Sequence, residues 1–319
     1  MKPANEIAFK SVGYQGQGDG PRLIVLGAVH GNETCGTRAI ERLMVELDSG
    51  ALALTHGCLT LVPVANPLAY GKGERSGERN LNRNLFPNAA PQDFEDRVAN
   101  WLCPLLASHD VLLDLHSFNA DSAPFVMVGP PDNDGSLEPF HQARQERALA
   151  RRLGVQRFVE GWLRTYGQGV RRRLRGDSQL DLVLRYGVGT TEYMRSTGGY
   201  ALTLECGQHA DPRAPDVAYQ AIVNALAFLG LTAATPPAPV PEARMEVLSM
   251  VEVHDKLHAD DQFSRDWASF DPVRQGEEIG RRADGTPVVA PFDGVMLFPD
   301  SAAAAHCEWY YLARSRPGL

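Results

Sequence analysis

The chain has 319 residues, of which 44% are hydrophobic and 22% charged, a composition typical of a globular protein with one large core or two domains. A formal net charge of -8 and a pI near 5.6 argue against a nucleic-acid partner, because such partners need a broad basic surface. The one basic run, RRRLR at 171–175, is predicted to be a solvated face.

The amino-terminal segment lacks the apolar core of a signal peptide, and no long apolar window predicts a transmembrane helix. The five cysteines are scattered and include no Cys-x-x-Cys pair, so neither a disulfide framework nor a thiolate zinc site is indicated. We therefore expect a cytoplasmic protein with no membrane partner.

Apolar, β-branched runs alternate with amphipathic stretches, which is typical of an α/β domain with a parallel or mixed sheet. Strands are predicted over 22–29, 58–64, 110–116, 124–128 and 200–206. Helices are predicted over 34–48, with Thr34 as N-cap, and over 91–108, 138–153 and 215–229. The proline-rich segment 232–243 predicts a linker between a catalytic domain, 1–231, and a small β domain, 244–319.

Polar residues follow two of these apolar strands. The first strand leads into "VHGNE", which places His30 and Glu33 in the turn before the helix, and "VLLDLHSF" carries His116 at the end of another strand. Open α/β sheets bind ligands at the carboxyl ends of their strands. Two imidazoles and one carboxylate leave one position of a tetrahedral zinc ion open for water, as catalytic zinc sites do. The sequence therefore predicts one zinc ion per chain.

A third apolar strand, "GYALTLECG", ends in Glu205, a carboxylate that beside a metal can act as general base and then as general acid. A buried ion pair with an arginine is the alternative role. The Gly- and Arg-rich segment 66–87 predicts a functional loop. Its guanidinium and amide groups suit a substrate carboxylate or an oxyanion, and the candidates are Arg75, Arg79, Arg83 and Asn82.

These motifs resemble those of the succinylglutamate desuccinylase and aspartoacylase family, which are zinc carboxypeptidase-like deacylases. The resemblance covers residues 23 to about 230 and is carried by His30-x-x-Glu33, Asn66-Pro67, Asn82-Arg83, the Leu-His-Ser of 115–117 and Glu205. The C-terminal "GTPVVAPFDGVMLFP" is similar to the small β domain of that family. The resemblance implies an α/β/α sandwich with a mixed sheet, plus a C-terminal β-barrel-like domain that acts as a lid and specificity element.

The resemblance also implies a role for each site residue. His30, Glu33 and His116 would be the zinc ligands, and Glu205 the catalytic carboxylate. Arg75 would polarise the oxyanion, and Asn82 with Arg83 would bind the substrate carboxylate. Arg195 would be a second substrate arginine, and Tyr310, in preference to Tyr311, would reach the pocket from the β domain.

The leading hypothesis is a zinc-dependent amidohydrolase that removes the acyl group from a small N-acyl amino acid, with the oligomeric state left open. The alternative is a metallocarboxypeptidase acting on short peptides, which would use the same metal, Glu205 and Arg83. The C-terminal β domain argues against it, because such a domain should narrow the cleft to small substrates. A catalytically silent metal-binding or carrier module is a third hypothesis, which the presence of Glu205 beside three ligands disfavours.

Overall fold

The computed structural model describes residues 7–119, 122–174 and 180–319. Up to residue 228 the elements in chain order are β1 (Val12–Gln15), β2 (Gly18–Leu26), α1 (Cys35–Asp48), β3 (His56–Val62), α2 (Pro67–Lys72), α3 (Phe94–Ala107), β4 (Val111–Phe118), β5 (Phe125–Val128), α4 (Ala143–Ala150), β6 (Arg157–Glu160), α5 (Trp162–Arg173), α6 (Leu180–Tyr186), α7 (Thr190–Ser196), β7 (Tyr200–Gln208) and α8 (Ala214–Phe228).

The rest of the chain is a short 3-10 helix, Glu242–Arg244, followed by β8 (Glu246–Asp255), β9 (Gln262–Phe263), β10 (Pro272–Val273), β11 (Glu278–Arg281), β12 (Pro287–Val289), β13 (Gly294–Leu297) and β14 (Glu308–Arg316). Among the helices of the described residues, none combines the length and the hydropathy that a membrane span requires.

The strands and helices predicted between residues 22 and 229 are all present, although α4 is shorter than the helix predicted over 138–153. Thr34 precedes α1 as predicted, but its side chain makes no capping hydrogen bond. Its backbone is already close to helical, with φ -90° and ψ -4°, whereas a capping side chain requires an extended residue.

The chain divides into two compact units, of which the first comprises Met1–Asn119, Ala123–Gln156 and Val188–Met245. Its strands form a mixed sheet in the order β1-β3-β2-β4-β7-β5. The central strands β3, β2, β4 and β7 are parallel, and β1 and β5 pair antiparallel to them at the two edges. Because β2, β4 and β7 are parallel neighbours, their carboxyl ends lie at one edge of the sheet.

Helices cover both faces of this sheet. On one face, Ile24, Leu112 and Ala201 pack with α3 in a cluster that is completely buried. Successive side chains of a strand point to opposite faces, and Leu115 accordingly lies on the other face, where its Cβ approaches Gly36 of α1. The sheet is therefore the middle layer of the first unit.

The second unit comprises Ala120–Ser122, Arg157–Gly187 and Glu246–Leu319. Its larger sheet has the order β6-β8-β14-β13-β10, and β12, β11 and β9 form a separate antiparallel sheet. Residues from both sheets share one core, which includes Trp267, Ile279, Met296, Trp309 and Tyr310.

The structure corrects the predicted domain boundaries at one point. Residues 157–187, assigned by the sequence analysis to a contiguous catalytic domain, belong to the second unit. The reason is that β6 pairs in parallel with β8, while Thr165 of α5 donates a hydrogen bond to the carbonyl oxygen of Met250 at 2.9 Å. This pairing could not be predicted from the sequence, because β6 and β8 are far apart along the chain.

Arg195 is part of a buried ion-pair cluster in the first unit. Its guanidinium donates to Glu146 at 2.7 Å, to Glu138 at 2.7 Å and to the carbonyl oxygen of Ala201 at 2.6 Å. Its side chain is only 3% exposed. Burial raises the pKa of Glu138 to about 7, while Arg195 favours its ionised form. The structure thus contradicts the expected substrate-binding role: Arg195 ties α4 and α7 to β7 instead.

We predict that Arg195→Ala lowers the free energy of unfolding by about 3–5 kcal/mol, because removing one partner of a buried pair leaves its carboxylates uncompensated. Arg38→Ala, on the exposed face of α1, is the matched control and should change stability by less than about 0.5 kcal/mol. Urea denaturation measures both. Unchanged stability in Arg195→Ala together with weakened substrate binding would restore the substrate-arginine role.

Candidate metal centre

The turn after β2 brings His30 and Glu33 to the edge of the sheet. Gly31 lies so close to α2 that a Cβ at this position would be 2.0 Å from the carbonyl carbon of Ala69. Only glycine fits there. The backbone N–H of Glu33 donates to the carbonyl oxygen of His30 at 3.1 Å, which closes the turn and places both side chains on the same side.

Three possible metal ligands converge at this edge. His30 Nδ1 lies 2.8 Å from Glu33 Oε1, and His116 Nδ1 lies 2.9 Å from Glu33 Oε2. The ligand atoms of these three residues all lie within 4.8 Å of one another, and each residue is at most 2% exposed. His116 reaches the group because β4 is the direct neighbour of β2 in the sheet.

The outer nitrogen of each imidazole has a polar neighbour of its own. His30 Nε2 lies 3.0 Å from Asn80 Oδ1, and His116 Nε2 lies 2.9 Å from Asp114 Oδ2. Such neighbours fix the orientation of a metal-ligating histidine and leave the opposite nitrogen for the metal. Both Nδ1 atoms therefore face Glu33, where each is available to bind a metal ion.

The sequence analysis missed Asn80 and Asp114. Asp114 could have been found, because it lies two positions before His116 on a buried strand and so shares its face of the sheet. Asn80 lies in a loop in which no sequence pattern distinguishes it from the neighbouring asparagines.

The electrostatics of the group favour a positive charge between its members. Burial lowers the pKa of His30. Burial acts in the same direction on His116, but Asp114 and Glu33 hold the pKa of His116 well above its usual value. Burial alone would raise the pKa of Glu33, yet the two imidazoles keep it well below its usual value. A cation at this position would be stabilised by the same two carboxylates, those of Asp114 and Glu33.

Glu205 lies directly beside the group, since β4 and β7 pair in parallel with His116 opposite Glu205. Burial raises the pKa of Glu205 to about 8, with Glu33 acting in the same direction and His116 opposing it. Its Oε2 atom is buried and has no hydrogen-bond partner among the described residues. Buried carboxylate oxygens are normally bonded. Glu205 is therefore not held in the structural ion pair that was its alternative role.

The loop between α2 and α3 supplies further polar groups. Arg75 donates to Glu33 Oε1 at 3.0 Å, and its side chain is 53% exposed, so it lies at the rim of the site. Asn80 Oδ1 also accepts the backbone N–H of Asn82 at 2.9 Å, and Arg83 donates to the carbonyl oxygen of Asn82 at 2.7 Å. Hydrogen bonds thus connect His30 with the two predicted substrate binders.

Two other side chains of this loop region have structural contacts. Arg79 forms ion pairs of 2.7 Å with Asp93 and 2.8 Å with Asp96, which anchor the loop to the start of α3. The amide oxygen of Asn82 accepts the backbone N–H of Thr190 at 2.9 Å, at the start of α7. Arg79 is therefore a loop anchor, whereas Asn82 retains an amide group as a donor.

Tyr310 is not placed as the resemblance implied. It is fully buried in the core of the second unit, where its ring stacks on that of His254 with centroids 4.7 Å apart. Burial raises the pKa of its hydroxyl. The structure thus places Tyr310 in the core of the second unit, and its role in a pocket stays a prediction. The motif "CEWYY" alone could not reveal it, since burial of Tyr310 depends on the partner strands β8 and β13.

Part of the chain matches a family of known proteins. Residues 19–151 match the model of the succinylglutamate desuccinylase/aspartoacylase catalytic domain. No curated protein matches the sequence significantly.

Several solved structures share the fold. A succinylglutamate desuccinylase/aspartoacylase from Rhodobacter sphaeroides has a TM-score of 0.69 at 19% identity, over 97% of this chain and 90% of that chain. The product-bound ectoine utilization protein EutE (DoeB) from Ruegeria pomeroyi has a TM-score of 0.68 at 21% identity, over 95% and 88%. An aspartoacylase family protein from Mesorhizobium loti has a TM-score of 0.65 at 22% identity, over 97% and 90%.

At these identities the structures show a common mixed α/β fold with a large mixed sheet, and the family match rests on the sequence of residues 19–151. The enzymes named for this family hydrolyse amide bonds to remove acyl groups. Residues 19–151 of the chain are thus similar in sequence to the catalytic domain of the succinylglutamate desuccinylases and aspartoacylases, which are deacylases.

Proposed function

We propose that the protein is a zinc-dependent hydrolase that cleaves the amide bond of a small N-acyl amino acid. One observation carries this proposal: the carboxylate of Glu205 has a buried oxygen with no hydrogen-bond partner in the described part of the chain, and it lies beside the group of His30, Glu33 and His116. The first of these features fits a proton carrier, and the second fits an open metal site.

The residues present suit a zinc ion. Two imidazole nitrogens face one carboxylate, which is the donor set of a catalytic zinc site with one open position. Asn80 and Asp114 support the outer nitrogens, as expected around metal-ligating histidines. Zinc bound here would polarise the amide carbonyl and lower the pKa of a water molecule.

The chain's own residues would carry the other steps. Glu205 would take a proton from the attacking water and pass it to the nitrogen of the leaving amine, since it lies opposite His116 and its Oε2 atom has no hydrogen-bond partner among the described residues. Arg75, at the rim beside Glu33, would stabilise the negative charge that develops on the carbonyl oxygen. Asn82 and Arg83 would bind the carboxylate of the amino acid and so orient the amide.

We propose that the first unit is related to the zinc carboxypeptidases and that the second is a barrel-like lid that restricts substrate size. Location in the cytoplasm is a further prediction. N-acyl amino acids are the proposed substrates because they offer an amide and a carboxylate together.

The proposal predicts that zinc-loaded protein releases free amine from one or more N-acetyl, N-succinyl or N-formyl amino acids. Glu205→Gln should retain its zinc, yet lose at least about 100-fold in turnover, because the amide cannot accept the proton. Glu41→Gln, which alters an exposed carboxylate of α1, is the matched control and should behave as wild type.

Cleavage of C-terminal dipeptides in place of N-acyl amino acids would establish the carboxypeptidase alternative. Undiminished turnover in Glu205→Gln would assign the proton transfer to another group.

A second prediction concerns recognition of the substrate carboxylate. Arg83→Lys should raise KM by roughly 10-fold or more, because an ammonium group cannot reproduce two parallel hydrogen bonds, and charged hydrogen bonds contribute about 1.5–3 kcal/mol. The wild type should cleave a substrate amidated at that carboxylate poorly, and Arg83→Lys should hardly change the kinetics of this substrate. Steady-state kinetics with Arg38→Lys as control tests this role. If Arg83→Lys changed the kinetics of the free-acid and the amidated substrate equally, the role would be contradicted.

A further inference from the structure

His209 is a partly buried histidine at the metal centre that neither the fold nor the proposed reaction explains. It lies four residues after Glu205, in the turn that follows β7. The sequence analysis did not single it out, because its place beside the site depends on an irregularity in the sheet.

That irregularity is a bulge in β7. His116 pairs with Glu205 and Phe118 with Gln208, so β7 uses one residue more than β4 over this interval. Gly207, within the bulge, has a φ of +129°, which side-chain-bearing residues rarely adopt. The turn is then closed by a hydrogen bond of 2.9 Å from the backbone N–H of His209 to the carbonyl oxygen of Phe118.

The bulge brings the imidazole of His209 against the strand that carries His116. Its Nδ1 atom lies 2.7 Å from Ser117 Oγ. Ser117 is itself tied to the centre, since its backbone N–H donates to Glu33 Oε2 at 3.1 Å. Burial lowers the pKa of His209. The neutral imidazole is therefore joined through Ser117 to the Glu33 oxygen that also faces His116.

One nitrogen of His209 is left without a partner. Nε2 is on the side of the ring opposite to Nδ1 and forms no hydrogen bond within the described ranges 7–119, 122–174 and 180–319. We assign the Ser117 hydroxyl as donor to Nδ1, the strongest acceptor beside it, and this assignment puts the proton of the neutral ring on Nε2. His209 thus offers an unused N–H group at the centre.

We propose that His209 contacts the substrate and that its Nε2–H group donates a hydrogen bond to an oxygen of the substrate. This inference rests on the proposed function. The contacts between His209 and Ser117 and between Ser117 and Glu33 place the ring beside the three candidate metal ligands. His209 would then help to hold the substrate at the centre.

Two replacements separate this role from support of Ser117. The amide nitrogen of Gln can occupy the position of Nε2, whereas that of Asn can occupy the position of Nδ1. If Nε2 donates to the substrate, His209→Gln should keep most of kcat/KM, while His209→Asn and His209→Ala should each lose roughly 10-fold. If His209 acts only through Ser117, the ranking of Gln and Asn should be reversed.

Substrate binding provides a readout apart from turnover. In the Glu205→Gln background, calorimetry with the intact N-acyl amino acid should show weaker binding for His209→Ala and His209→Asn by a similar factor. The zinc content of every variant should stay unchanged, because His209 is not a ligand.

The outcomes distinguish this inference from the function on which it rests. Suppose that the wild type releases amine. If His209→Asn is then more active than His209→Gln, or if all three variants equal the wild type, the proposed contact is wrong but the hydrolase function stands. A wild-type protein that releases no amine from any N-acyl amino acid would overturn both.

Discussion

The carboxylate of Glu33, held between the Nδ1 atoms of His30 and His116, is the interaction on which the rest of the site depends. It joins a turn after β2 to the end of β4, and it also accepts hydrogen bonds from Arg75 and from the backbone of Ser117. An ionised carboxylate so deeply buried is stable only with partners of this kind. The parallel pairing of β2 with β4 supplies them, because it places both strand ends at one edge of the sheet.

Two carboxylates of the first unit, those of Glu146 and Glu205, differ in how many hydrogen bonds they accept. Glu146 accepts hydrogen bonds from Arg195 and from the backbone of Gly129 and Ala201, so it stabilises the fold. Glu205 has a buried oxygen without a partner among the residues that the structure describes, so it costs stability where it stands. Such a cost is expected at a functional site, where a group must stay free to exchange a proton.

Much of this arrangement could be predicted because it depends on local patterns. Apolar strands that end in polar residues identified His30, Glu33, His116 and Glu205, and the parallel sheet then brings the strand ends together. Features that depend on distant partners were not predictable. Arg195 forms ion pairs with acidic residues about fifty positions away in sequence. The strand β6 pairs with a strand from the C-terminal region. His209 contacts Ser117 only because of the bulge at Gly207.

We propose that two imidazoles and one carboxylate are the ligands that the protein contributes to a zinc site. A nearby thiol makes it testable, since Cys35 follows Glu33 by two residues and its Sγ donates to the carbonyl oxygen of His116. X-ray absorption at the zinc edge of the loaded protein is the most direct measurement. We expect one zinc per chain with only nitrogen and oxygen neighbours at about 2.0–2.2 Å, including two imidazoles. A sulfur neighbour at about 2.3 Å would contradict it.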